Sequence, residues 1–289
     1  MRSLLFIPGN KDNMLAKAAD ISPDVLVPDM EDSVPDAEKP AARTLIADWL
    51  ERLATHDALL MPRVNALGTE WFEHDVEAVA APGVWGISVG KVETANDVDD
   101  ISAAISKAER AAGLADGQLK LIPWIESALA VENSFAICTA SERIAAVAYG
   151  GEDYAHDMGI ERFDDESNTI YARSAICNAA RAAGVLALDT PFFAFRDDAG
   201  LADNCASSKR LGFKGRFAIH PAQIQTINQC YSPSEAELDW ARRVCDAFAE
   251  AERNGRGSTS LDGCVIDVPV VKRARALLAM TATPGKRVR

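Results

Sequence analysis

Eight short β-prone runs, separated by stretches of helical periodicity, fill most of this 289-residue chain. They are Leu4–Pro8, Asp24–Pro28, Ala58–Val64, Gly86–Lys91, Leu119–Ile125, Ile144–Tyr149, Val185–Leu188 and Arg216–Ile219. Such alternation is what successive βα units around a parallel sheet require, and eight units are enough to close a barrel. Several runs are continuously apolar, as strands covered on both faces must be. Pro28 stands against the end of the second run, because proline has no N–H to offer a neighbouring strand.

Between the runs, Glu38–Ala54 places Ala42, Leu45, Ile46, Trp49, Leu50 and Leu53 at helical spacing, and Asn96–Gly113 does the same with Val98, Ile101, Ile105 and Ala108. Ser234-Glu235-Ala236-Glu237, after Pro233, is a capping box that opens another helix bearing Leu238, Ala241, Cys245 and Phe248 on one face. Apolar residues thin out over Ala251–Ser260 while glycine and serine accumulate, which predicts a flexible connector. The expected division is therefore a barrel over residues 1–250 and a linker with a terminal element over 251–289. Residues Leu261–Met280 read as a loop and helix too small to hold a core alone.

In a closed barrel the polar residues after each strand converge on one rim. Here they are Asn10 and Lys11, Glu31 and Asp32, Arg63 and Asn65, Lys91, Glu126, Asp153, Asp189 and His220. Carboxylates crowded in a low-dielectric mouth repel one another, and a hard divalent cation with oxygen ligands relieves that repulsion. Magnesium suits the pattern, since it needs only one or two carboxylates and keeps waters for the rest. Glu126 and Asp153, each alone at its strand end, are the expected ligands, with Glu31 and Asp32 acting through bound water. Taken singly, any of these acids could instead be a helix cap or a solvated loop end.

Arg63 ends an apolar strand and needs an anionic partner there. It reads either as a structural salt bridge or as a guanidinium that holds a carboxylate or stabilises an enolate oxygen. Lys91, among so many acids, should remain protonated, which argues against a Schiff-base role. His156 and His220 read as packed loop residues before metal ligands or general bases.

Charge excludes some partners. Thirty basic against 43 acidic residues leave a net charge of −13, a field that repels nucleic acid and anionic membrane surfaces. The initial apolar run is too short for a signal peptide and no apolar stretch approaches the length of a membrane span, so a cytoplasmic protein is expected. Six scattered cysteines, with no Cys-x-x-Cys pair, read as buried thiols.

These residues resemble the citrate lyase β-chain-like branch of the HpcH/HpaI aldolase/citrate lyase family, with its malyl-CoA and citramalyl-CoA lyases. The resemblance spans nearly the whole chain. It rests on Arg2-Ser3 with Phe6-Ile7-Pro8-Gly9, Asp29-Met30-Glu31-Asp32-Ser33-Val34, Lys39-Pro40-Ala41-Ala42-Arg43, Arg63-Val64-Asn65 and Ile125-Glu126-Ser127-Ala128. Further along, Gly151-Glu152-Asp153, Gly212-Phe213-Lys214-Gly215, Ile219-His220-Pro221 with Gln223, and Val265-Ile266-Asp267 complete the series. The family usually has proline before the lysine that follows the fourth strand, whereas this chain has Gly90-Lys91.

The resemblance implies a (β/α)8 TIM barrel with a C-terminal lid extension, magnesium held at Glu126 and Asp153, and substrate contacts from Arg63, Glu126, Asn65 and Lys91. Glu31 and Asp32 join Arg63 in the catalytic set. Asp267 is implied to sit on a lid that closes over a neighbouring subunit's site in a homotrimer or a multiple of it, and to serve as the acid or base. The implied reaction is reversible carbon–carbon cleavage of a 3-hydroxyacyl-CoA thioester to an acyl-CoA and a 2-oxo acid. Hydrolysis of the same thioester, or action only as a subunit of a citrate lyase complex, are the alternatives.

Overall fold

The computed structural model describes residues 1–163 and 166–281. The end of the expected terminal element, 282–289, lies outside them. Nine parallel strands form one sheet among the described residues: β1 Ser3–Pro8, β2 Val25–Asp29, β3 Leu59–Leu60, β4 Arg63–Val64, β5 Gly86–Val89, β6 Lys120–Ile125, β7 Ala146–Tyr149, β8 Leu186–Asp189 and β9 Gly215–Ala218. β1 pairs with both β2 and β9, so the sheet closes on itself. β3 and β4 are two pieces of one stave, which makes eight staves in the (β/α)8 barrel.

The expected continuous strand Ala58–Val64 is broken at Met61-Pro62 because Pro62 has no N–H for the ladder. Its carbonyl still accepts from Ser88 N–H at 2.9 Å, so pairing resumes at once. The register of β2 with β3 and β4, Leu26 to Leu60 and Asp29 to Arg63, sets Pro28 level with this break. The two prolines face one interruption, and β2 continues through Pro28 to Asp29.

Strand periodicity assigns each side chain to the lumen or to the helix layer. Leu4, Val25, Val27, Met61, Ile122, Trp124, Ala146, Ala148, Leu188 and Phe217 fill the lumen as one apolar cluster. Their alternates, Leu5, Leu26, Leu121, Ile125, Val147 and Ala187, join the larger core under the helices. Phe6, Trp124 and Phe217 stack with ring centroids 4.4–5.8 Å apart, contacts worth about 0.5–1.5 kcal/mol per pair beyond burial.

The chain divides into compact units at Tyr231 and Ser232, not at residue 250, which lies inside a helix. That helix, Glu235–Arg253, carries the expected capping box: the Ser234 hydroxyl accepts from Glu237 N–H, and the Glu237 carboxylate accepts from Ser234 N–H at 2.8 Å. It packs with the helix Val268–Thr281 and the hairpin β10 Thr259–Leu261 and β11 Cys264–Ile266. Ala241, Val244, Phe248, Ile266, Val271 and Ala274 form this unit's own core, which the terminal segment alone could not have supplied. Cys138, Cys177 and Cys205 are buried thiols as expected, but Cys264 is exposed in the hairpin. No helix among the described residues is long and apolar enough to cross a membrane.

Candidate active site

Where the lumen opens at the C-terminal strand ends, the inward alternation turns polar. Following Phe6, Val27, Met61, Trp124, Ala148, Leu188 and Phe217 by two residues along their strands gives Pro8, Asp29, Arg63, Glu126, Gly150, Thr190 and Ile219. All but Pro8 line a pocket of about 280 Å³ whose wall also holds Phe6, Trp124, Asp32 and Asp153. A larger cavity of about 900 Å³ shares Glu152 and Phe193 with it.

Arg63 anchors the site. Its Nε and Nη2 each donate at 2.7 Å to the Asp29 carboxylate, and Nη1 donates to Asp32 at 3.1 Å. Nη1 also lies 2.9 Å from Glu31 Oε2, close enough for charge contact but without hydrogen-bond alignment. The guanidinium carbon rests 4.5 Å from the Phe6 ring centroid. Burial alone would weaken its hold on the proton, yet the attraction of Asp29, with Glu31 and Asp32, raises its pKa. Arg63 is therefore a structural salt bridge and a pocket wall at once.

Asp29 was not among the expected site residues, although its lumen-facing parity marks it. Besides binding Arg63, it accepts from Glu31 N–H at 3.0 Å and Ser33 N–H at 3.2 Å, and so shapes the loop that presents Glu31 and Asp32. Lys91 Nζ donates to Glu31 at 2.6 Å and reaches Asp32 at 3.5 Å. Burial opposes its charge, but Glu31 and Asp32 outweigh burial and raise its pKa. It remains an ammonium.

Glu126 is buried between two glycines. A side chain at Gly150 would meet Glu126 Oε2 at 2.2 Å, and one at Gly90 would meet Glu31 Oε1 at 2.7 Å and Glu126 Oε1 at 3.1 Å. The absence of a side chain at Gly90 thus leaves space for both carboxylates. Lys91, with a left-handed φ of 58°, donates its N–H to Glu126 Oε1 at 2.5 Å. Burial first, then repulsion from Glu31 and Asp153, pushes the Glu126 carboxyl up to about 8. Asp153 lies in the first turn of the helix Gly151–Met158.

Six expected residues therefore converge: Arg63, Glu31, Asp32, Lys91, Glu126 and Asp153. Asn65 is engaged beneath them instead, its amide donating to Met30 O at 3.0 Å and Asp75 at 2.6 Å while its oxygen accepts from the buried Lys39 ammonium at 2.7 Å. Asp189 does not reach the rim. Its strand parity turns it into the helix layer, where Arg173 and Arg216 donate to it at 2.6 and 2.7 Å. Asn10 donates to Glu38. His220 stacks on Phe195 and accepts from Ala222 N–H, and exposed His156 lines the larger cavity. Asp267 lies in the second unit, exposed, where it accepts from Val270 N–H at 3.3 Å.

Five carboxylates, Asp29, Glu31, Asp32, Glu126 and Asp153, gather about two cations, Arg63 and Lys91. Among the described residues, no cluster of three or more His, Cys, Asp or Glu side chains is arranged as a complete metal cage. Glu126 and Asp153 stand as two oxygen-donor side chains on the wall of the pocket.

The sequence profile of the HpcH/HpaI aldolase/citrate lyase family matches residues 2–221. This chain belongs to the HpcH/HpaI aldolase/citrate lyase family. It is 38% identical to the citrate lyase subunit beta of Escherichia coli K12 over 286 residues, covering 99% of this chain and 95% of the relative. It is also 34% identical to the (3S)-malyl-CoA thioesterase of Cereibacter sphaeroides ATCC 17029, covering 96% and 93%. Among solved structures, the CitE protein of Mycobacterium tuberculosis in complex with magnesium, acetoacetate and coenzyme A superposes with a TM-score of 0.79 at 30% identity, over 98% of each chain. The family's aldolase and lyase chemistry and the barrel agree with the expectations drawn from the residues.

Proposed function

We propose that this chain is a magnesium-dependent lyase of the cytoplasm that reversibly cleaves a 3-hydroxyacyl-CoA thioester to an acyl-CoA and a 2-oxo acid. One observation carries the reading: the Glu126 and Asp153 carboxyls line one pocket with Arg63, close enough for their mutual repulsion to help push Glu126 up to about 8. Two carboxylates without histidine or thiol partners suit a hard divalent ion that completes its shell with water and substrate oxygens. Bound there, magnesium supplies Lewis acidity toward the 2-oxo acid's carboxylate and adjacent oxygen, and orients them.

The chain's own residues do the rest. Arg63 faces the thioester carbonyl, where negative charge grows as an enolate forms and where a fixed guanidinium stabilises the transition state more than the ground state. Asp32, half-exposed, is the Arg63 partner most readily displaced by a substrate oxygen. Lys91 holds Glu31 in place and fixes Glu126 through its N–H. Asp267, supplied by a neighbouring subunit of a homotrimer through its terminal unit, takes the proton from the acyl carbon in condensation and returns it in cleavage. The smaller pocket suits a small oxo acid, and the adjoining cavity offers room for the thioester arm.

Thioester hydrolysis is the second reading, favoured by the likeness to a malyl-CoA thioesterase. Action only within a complex is a third, favoured by the likeness to citrate lyase beta subunits. An acyl-CoA panel with and without Mg²⁺, read by mass spectrometry, separates them. Acyl-CoA plus 2-oxo acid supports the lyase, and free CoA supports hydrolysis. Turnover of CoA esters by the isolated chain contradicts the third reading, and no magnesium-dependent turnover of any ester contradicts the first.

A further inference from the structure

Thr190 follows β8, and strand alternation turns it into the lumen while the preceding Asp189 faces the helices. Thr190 is 1% exposed, and its Oγ1 accepts from Gly151 N–H at 3.2 Å. Gly151 is the first residue of the helix that carries Asp153. The first N–H groups of a helix have no partner within it; an N-cap side chain ordinarily serves the second or third of them, and the first needs an acceptor from elsewhere. Here the N-cap is Gly150, which has no side chain to offer. Nor can it acquire one, because the Glu126 carboxylate occupies the space a Cβ would need.

The acceptor for the first N–H comes from the neighbouring strand end, and it is itself held firmly. Thr190 N–H donates to Asp189 Oδ1 at 2.9 Å, and Asp189 Oδ2 accepts from both Arg173 and Arg216. All three of these charged residues are buried. A chain of bonds thus runs from the core through Thr190 to the start of the helix bearing Asp153.

We infer that Thr190 is a positioning residue for Asp153: its hydroxyl anchors the first N–H of a helix whose Gly150 N-cap offers no side chain, and so sets the Asp153 carboxylate against Glu126. This rests on the reading that Glu126 and Asp153 hold one divalent ion. Thr190→Val keeps the branched shape and removes the acceptor, whereas Thr190→Ser keeps the acceptor.

Two measurements test it. Hydrogen exchange at Gly151 N–H in the metal-free protein should quicken about five- to tenfold in Thr190→Val and stay near wild type in Thr190→Ser. Titration with Mg²⁺ should show affinity about five- to tenfold weaker in Thr190→Val and near wild type in Thr190→Ser, with both variants folded by circular dichroism. Faster exchange with unchanged affinity, or no change in either, overturns the positioning role. Failure of the wild-type chain to bind Mg²⁺ overturns the underlying metal reading too, and is told apart because it appears before any substitution is made.

Discussion

Gly150→Ala tests the site's geometry with one methyl group. Gly150 has φ −99°, open to any L residue, so the backbone does not resist the change. The added Cβ would stand 2.2 Å from Glu126 Oε2, 2.6 Å from its Cβ and 3.2 Å from its Cδ, where ordinary contact is 3.4–4 Å. Glu126 must retreat by about 1 Å. Its retreat is opposed on the far side, where Oε1 accepts from Lys91 N–H at 2.5 Å. Overpacking of this kind costs about 1–3 kcal/mol of stability, and a misplacement of about 1 Å at a reacting centre costs roughly 100-fold in rate. The assay is kcat at saturating Mg²⁺ and acyl-CoA, beside a thermal melt. Gly159→Ala, at the other end of the same helix, is the control: φ there is +64° with no atom near the added Cβ, so it should lower the melting temperature and spare kcat. Gly150→Ala with kcat within threefold of wild type would refute the claim that Glu126 cannot shift without disturbing the reaction.

Four more outcomes can be measured. Arg63→Lys cannot reproduce the bidentate bond to Asp29, and should lower kcat/KM about 100-fold or more in steady-state assays, consistent with losing one oxyanion donor. Metal-free Glu126 titrates at about 8, so Mg²⁺ must expel a proton below that pH; calorimetry in two buffers should show affinity rising about tenfold per pH unit up to about 8 and level above, with proton release fading over the same range. Because the folded value exceeds the ordinary 4.5, the stability that Glu126 contributes is present below pH 4.5 and is lost as pH rises through about 8; Glu126→Gln should remove part of that decline in metal-free melting temperature. Asp267→Asn should abolish turnover while Mg²⁺ binding by calorimetry is retained, and loss of both would contradict its separate role.

The barrel was legible because eight apolar runs and their spacing survive local irregularity, even where Pro62 splits a strand. The rim was less legible, because a position just after a strand does not say which way its side chain faces. Period-two alternation excludes Asp189, whose neighbours Leu188 and Thr190 face the lumen, and admits Asp29. Asn65 shares the lumen parity of Arg63, yet Lys39 and Asp75 draw it away; such contacts come from the helices on either side of its strand, and strand alternation does not announce them. The division at Tyr231 was hidden for a related reason. The helix Glu235–Arg253 looks like one more barrel helix until its apolar face meets the hairpin and the last helix.

Glu126 and Asp153 are proposed to share one divalent ion. Calorimetric titration of Mg²⁺ into the wild-type chain and into the Glu126→Ala/Asp153→Ala variant measures this directly. One ion per chain in the wild type, and none in a variant that remains folded, is the predicted result. Equal Mg²⁺ binding by both proteins would contradict it.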